Sequence, residues 1–339
     1  MSAALPVAIL GAGRIGQVHA RTIAHLIPEA RVVGVADPRL GAAQALAAEL
    51  GIPTVSDDPA QLIADPQVQA VLVCSSTDTH ADLVIQAARA GKHIFCEKPL
   101  DLDLGRIDTV LAEVERAGVQ LMLGFNRRFD PDFARVRALV ASGAVGRPEM
   151  LRITSRDPAP PPAEYAAVSG GMFLDMTIHD FDMARFVMGQ EVVELHAMAA
   201  VLVDPAIGAA GDVDSAVISL RFADGALGVI ENSRRAVYGY DQRVEVLGSA
   251  GRVGNRNIAA DTVQLADAYG QHDPLPLDFF MQRYAAAYAA EIQAFVAAVR
   301  GAGPLSVGGH DGRMAVVLGL AAKRSVALGR PVRIQEVAG

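Results

Sequence analysis

Cysteine is scarce in this chain. Only Cys74 and Cys96 occur among 339 residues, each at the end of an apolar run that reads as a buried strand, so no disulfide framework carries the fold and a reduced, intracellular protein is expected. Positive charge is in deficit: 30 Lys and Arg against 38 Asp and Glu leave a net charge of −8. Nucleic-acid surfaces draw their affinity from clustered basic side chains, so no nucleic-acid partner is expected. Long apolar runs are missing as well, since no uninterrupted stretch reaches the roughly 18 residues of a membrane span. The first ten residues carry neither a basic leader nor a small-residue cleavage site and run straight into a glycine turn. They read as a first strand rather than a signal peptide, which points to a cytoplasmic protein.

What is present suits a two-domain globular enzyme. Apolar residues make up 51% and charged ones 20%, and 339 residues exceed what one core usually organises. The first third alternates short β-branched runs (Val7–Leu10, Arg31–Ala36, Ala70–Cys74, His93–Cys96, Gln120–Gly124) with alanine-rich helical patterns. That alternation predicts a doubly wound parallel sheet, a Rossmann domain over residues 1–124, with strands covered on both faces. Beyond Gly124 a helix near Phe133–Ser142 leads into longer strands: Glu149–Ser155, Val192–Val203, Asp214–Phe222, Ala226–Ser233 and Arg243–Leu247. Turn signals at Ala223-Asp224-Gly225 and Ser249-Ala250-Gly251 join them. They predict an α+β domain over residues 125–339 with a large open, mostly antiparallel sheet. Late helices at Phe279–Arg300 and Asp311–Leu328 are free to pack back on the first domain, and a last strand is expected at Val332–Ile334. Four prolines within Pro158–Pro162 make a stiff loop, either beside a pocket or a plain connector.

The turn Gly11-Ala12-Gly13-Arg14-Ile15-Gly16 lies between the first strand and a helical pattern. In this G-x-G-x-x-G arrangement Gly11 permits the tight turn, Gly13 lets a pyrophosphate approach the backbone, and Gly16 lets helix and strand pack closely. Phosphates then meet the helix N-terminus, where free N–H groups favour negative charge. Asp37, 21 residues beyond Gly16, suits hydrogen bonds to the adenosine ribose of NAD, although Asp37-Pro38 is also a good turn start. Arg39 suits a 2′-phosphate, so NADP stays open beside NAD. The Cys74–His80 loop, with Ser75, Thr77 and His80, falls at a strand's carboxyl end where ligands of open sheets bind; Ser76, Thr77 or Thr79 read equally well as helix caps.

Cys96-Glu97-Lys98-Pro99, Gly124-Phe125-Asn126-Arg127-Arg128-Phe129-Asp130, Asp175-x-x-x-His179 and Tyr238-Gly239-Tyr240-Asp241 add a second set of signals. With the glycine turn they span nearly the whole chain, and together they resemble the Gfo/Idh/MocA oxidoreductases, particularly the branch acting on inositols. The resemblance implies an NAD-dependent dehydrogenase of a ring secondary alcohol, with myo-inositol the leading substrate and other inositols, sugars or polyols the alternative. It also implies a homotetramer or dimer packed through the open sheet, and it leaves the Lys98–Pro99 bond a candidate for cis. Oxidising such an alcohol needs a base beside the hydroxyl, and the imidazole of His179 has the right acidity. Asp175 lies four residues earlier, on the same face if the segment is helical, and would orient that imidazole. Lys98 would favour developing alkoxide character, and Glu97 and Lys98 would also line the cofactor. A helical surface ion pair is the bland alternative for Asp175 and His179, and metal binding by Asp175, His179, Asp180 and Asp182 is disfavoured for want of clustered His or Cys. Asn126, Arg128, Asp157, Tyr238 and Tyr240 are the remaining substrate candidates, with structural ion pairs or cofactor contacts an equal reading of Arg127 and Arg128. A non-catalytic dinucleotide sensor is the reading of a different class, and the presence of both Lys98 and His179 weighs against it.

Overall fold

The computed structural model describes residues 3–338. Two compact units result: one runs to Phe129 and includes Ala286–Met314, the other comprises Asp130–Ala285 and Ala315–Gly339. The division thus falls five residues later than the 124/125 boundary read from sequence, and residues 286–314 return to the first unit. They do so because their polar and apolar groups are satisfied there: Arg300 donates to the carbonyls of Ala3 (2.5 Å) and Glu29 (2.8 Å), the Leu123 N–H donates to the Val307 carbonyl, and Phe295 packs edge-on to Phe95.

The first unit holds a parallel sheet of β1 (Leu5–Leu10), β2 (Ala30–Ala36), β3 (Thr54–Ser56), β4 (Ala70–Val73), β5 (His93–Cys96) and β6 (Leu121–Leu123), in the order β3-β2-β1-β4-β5-β6. Crossover helices α1 (Arg14–Leu26), α2 (Leu40–Leu50), α3 (Pro59–Ala64), α4 (Thr77–Arg89) and α5 (Leu104–Ala117) join successive strands. Every residue of β4 is buried, as strands covered on both faces require. β3 was not among the expected strands: its three residues include one that is exposed and offer no apolar run to read.

The second unit opens with α6 (Pro131–Ala141), followed by β7 (Pro148–Arg156), α7 (Ala163–Val168), α8 (Met172–Asp175) and α9 (Thr177–Met188). Next come β8 (Val192–Ala200), α10 (Pro205–Ala209), β9 (Ser215–Phe222), β10 (Leu227–Ser233), β11 (Asp241–Gly248), β12 (Gly251–Gly254) and the exposed two-stranded hairpin β13 (Leu265–Asp267) and β14 (Gly270–His272). The end of the chain forms α11 (Phe280–Arg283), α12 (Ala285–Val299), α13 (Gly309–Leu328), β15 (Val332–Arg333) and α14 (Gln335–Ala338). Seven strands form one sheet, ordered β12-β11-β7-β10-β9-β8-β15, with only β7 and β10 parallel. Burial along β9 alternates strictly, so one face is covered and the other open.

Two expected elements are shorter than the apolar runs suggested. β8 stops at Ala200 because the Asp214 carboxylate takes the N–H groups of Leu202, Val203 and Asp204, turning the chain into a loop. The single late helix breaks at Tyr284, leaving α11 and α12. The proline run stays irregular until Pro162 caps α7. Among the described residues no helix is long and apolar enough to cross a membrane.

Candidate active site

At the cofactor end of the first unit, the glycines are imposed by geometry. Gly11 has φ 107°, and a Cβ there would lie 2.7 Å from the Cys74–Ser75 backbone. A Cβ on Gly16 would fall 1.9 Å from the Gly11 carbonyl oxygen, so α1 sits on the turn as closely as backbone allows. Gly13 is the N-cap of α1, extended and without a side-chain cap, and a Cβ there would meet nothing within 4 Å. The first N–H groups of α1 therefore begin beside open space, which suits a pyrophosphate. Arg14 is exposed and Ile15 half-buried at this same turn.

Asp37 is buried and already engaged: its Oδ2 accepts the Ala12 N–H at 2.8 Å and its Oδ1 the Arg39 N–H at 2.8 Å. It braces the glycine turn from β2, and each oxygen keeps a lone pair for a ribose hydroxyl. Arg39 is largely exposed, its Nε 3.6 Å from Asp37 Oδ1. In the loop after β4, Ser76 is the N-cap of α4 yet its side chain makes no capping bond, while the Ser75 and Thr79 hydroxyls pair at 2.6 Å and Thr79 donates to the Ser76 carbonyl. Thr77 is half-buried at the first turn of α4. His80 is buried, with Nδ1 2.8 Å from the Pro99 carbonyl and Nε2 3.1 Å from the Ser75 carbonyl. Its ring ties the two loops at the sheet's carboxyl edge to each other. Lys98 is half-buried, and the Lys98–Pro99 bond is cis.

Asn126 is buried in a 3-10 turn. Arg128 is only 9% exposed, with Nη2 2.9 Å from Asp311 Oδ1 and Nη1 donating to the Ser306 carbonyl. A guanidinium this little exposed needs such partners.

In the second unit Asp175 ends α8 and His179 lies in the first turn of α9, the two helices meeting at Met176. Both side chains are half-buried. Asp175 Oδ1 accepts from the Tyr165 hydroxyl at 3.0 Å and Oδ2 from Arg234 at 3.2 Å, while Arg234 also donates to Asp157 Oδ2 at 3.1 Å. Burial opposes the Arg234 charge, but the two carboxylates outweigh it and raise its pKa. Beneath this layer runs a buried polar chain: Asn232 donates to Asp180 Oδ2 at 2.8 Å and accepts from Thr177 at 2.7 Å, and Ser155 bonds Gln242 at 3.0 Å. Tyr238 donates to Asp241 Oδ2 at 2.7 Å and accepts from Arg156 at 2.6 Å. Tyr240 is buried, its ring edge-on to Tyr284 at 6.0 Å.

Arg234, Tyr165, Asn232 and Gln242 were not legible as site residues. A signal did exist for two of them, since Asn232 and Arg234 flank the end of β10 beside a strand that ends at Arg156, next to Asp157, but only the register between those strands reveals it.

Residues 5–125 match the family model for oxidoreductases with an NAD-binding Rossmann fold, and residues 133–254 match the GFO/IDH/MocA C-terminal domain. The chain is 51% identical to myo-inositol 2-dehydrogenase of Thermotoga maritima over 98% of its own length and 99% of that protein's. It is 50% identical to inositol 2-dehydrogenase of Rhizobium meliloti, over 96% and 98%. The crystal structure of scyllo-inositol dehydrogenase from Lactobacillus casei with bound NAD(H) and scyllo-inositol superposes with a TM-score of 0.92 at 27% identity, covering 98% of this chain and 99% of that one. With a glycine turn built for a dinucleotide, a six-stranded parallel sheet, an open mixed sheet and both family models matched in sequence order, this chain belongs to the Gfo/Idh/MocA oxidoreductase family.

Proposed function

We propose that this protein oxidises myo-inositol at C2 to 2-keto-myo-inositol (scyllo-inosose), with NAD as hydride acceptor. The observation that carries the reading is the 51% identity, over essentially both full lengths, to a myo-inositol 2-dehydrogenase. When bound, NAD supplies the nicotinamide C4 that receives the hydride. Gly11, Gly13, Arg14, Ile15, Gly16, Asp37, Arg39, Ser75, Thr77, Glu97 and Lys98 form its binding surface. His179 accepts the hydroxyl proton as the C2–H bond breaks toward the cofactor, Asp175 orients His179, and Lys98 stabilises negative charge on the oxygen that stays on C2 and becomes the ketone. Asp175 is itself held by Arg234 and Tyr165. Asn126, Asp157 and Tyr238 serve the ring hydroxyls, for which convergent donors and acceptors matter more than charge.

The open face of the second unit's sheet carries Met150, Met198, Val217, Leu227 and Leu247 exposed. Such a patch supports association into a homodimer or homotetramer. An inositol-catabolic enzyme in the cytoplasm accords with the two buried, unpaired cysteines. Spectrophotometric NADH formation with myo-inositol, scyllo-inositol and a panel of aldoses tests the activity; no turnover of any inositol sinks it. Preferential turnover of scyllo-inositol is the second reading, favoured by the L. casei likeness.

A further inference from the structure

Three titratable side chains lie in the core of the first unit, directly behind the Glu97-Lys98 turn, and no step above uses two of them. His19 of α1 places Nε2 2.7 Å from Glu97 Oε1. Glu291 of α12 is the third, and one nitrogen or carboxylate oxygen from each residue lies within 4.8 Å of the others. His19 and Glu291 are fully buried, and Glu97 is 13% exposed. The surroundings are apolar: the His19 ring meets Phe95 edge-on at 5.1 Å and Tyr288 at 5.8 Å, and Phe95 meets Phe295 at 5.9 Å. Cys74 and Cys96 are buried nearby, and burial pushes both thiols well up, so they stay protonated.

Among the described residues neither Glu291 oxygen has a hydrogen-bond partner. An ionised carboxylate without a donor in such a place is strongly disfavoured, and two carboxylates this close do not both ionise. Burial first, and then the charge of Glu97, hold the Glu291 carboxyl well above the usual carboxylate range. His19 Nδ1 is also without a partner. A neutral imidazole donating Nε2–H to Glu97 leaves only a lone pair there, whereas a cationic one would bury an unpaired N–H. A metal on Nε2 meets the same objection, because a ligating imidazole normally gives its second N–H to an acceptor. One negative charge therefore remains in the cluster, and it resides on Glu97. That carboxylate has little room: a Cβ on Gly124 would already lie 3.0 Å from it, and the Glu97 N–H is fixed to the Val73 carbonyl at 3.0 Å.

We propose that Glu291 is a positioning residue for the reaction: it remains a neutral carboxylic acid and, with His19, holds Glu97 as the single buried anion that fixes the backbone from which Lys98 acts. The inference rests on the reading of Lys98 as the catalytic cation. Glu291→Gln keeps the shape and a donor but cannot ionise, and Glu291→Leu removes both polar atoms. In the full-length protein the Gln variant should keep kcat on myo-inositol within about twofold, while the Leu variant should lose about tenfold or more in kcat with KM within about threefold. An infrared difference spectrum between wild type and Glu291→Gln at neutral pH should show the C=O stretch of one protonated carboxyl. The proposal is overturned by absence of that band, by a Gln variant as impaired as the Leu variant, by a folded Leu variant with wild-type kcat, or by stoichiometric metal in the wild type that the Gln variant lacks. If the wild type turns over no inositol, the functional reading fails by itself, and the infrared band still decides the protonation of Glu291 whether or not the Leu variant folds.

Discussion

At the scale of single residues, the chemistry concentrates on a few side chains whose loss should separate binding from catalysis. Lys98→Ala should abolish NADH formation while NAD affinity, measured by fluorescence titration, stays within a few-fold, because the glycine turn and Asp37 are untouched. Unchanged turnover would remove Lys98 from the chemistry. Gly16→Ala tests the opposite end: its Cβ would overlap the Gly11 carbonyl at 1.9 Å, so the turn must shift and NAD affinity should fall by about tenfold or more. The glycines, Asp37, Lys98, Asp175 and His179 were legible as candidates because each belongs to a short motif with its own chemical logic. For Arg128 the sequence left an ion pair open, and the pairing with Asp311 comes only from the fold, because the partner lies 183 positions away.

Elements were legible where apolar periodicity was strong and illegible where polar side chains set the boundary. The parallel strands β1, β2, β4, β5 and β6 follow apolar runs, whereas the end of β8 is set by Asp214, which lies in a loop 14 residues beyond Ala200. The start of α6 has a similar dependence. Asp130 caps it by accepting the N–H groups of Asp132 and Phe133, and Arg283 from α11 pairs with the same carboxylate, both side chains being 2% exposed. Removing the cation leaves a buried, uncompensated charge, so Arg283→Met should destabilise the protein by about 3–5 kcal/mol in urea unfolding. A loss under about 1 kcal/mol would mean that the cap, not the ion pair, holds this junction.

For the molecule as a whole, stability should respond to acid and alkali through different carboxyls. Burial opposes ionisation of Asp241, but Arg243, Asn257 and Tyr238 outweigh it, and three backbone N–H groups do the same for Asp214, so both lie below the ordinary carboxylate range. Their contribution is complete above that range and fades as pH falls through it, since the unfolded chain takes up protons first. Glu291 runs the other way: its raised value makes its contribution complete below the ordinary range and diminishing as pH rises above it. Thermal unfolding of Glu291→Gln should therefore match wild type in acid and exceed it increasingly toward alkaline pH; identical pH profiles would count against a neutral Glu291. If the proposed dimer or tetramer packs through the open sheet face, Val217→Asp there should shift it toward monomer in light scattering. By itself the sequence determined the two-domain α/β architecture, the dinucleotide turn and the likeness to inositol dehydrogenases, because apolar period and short motifs are local properties of the chain. Tertiary structure alone decided the return of residues 286–314 to the first unit, the Arg234 clamp on Asp157 and Asp175, and the burial of Glu291 behind Glu97. Each of those joins residues separated by tens to hundreds of positions, and what a buried charge costs depends on neighbours that only folding brings near.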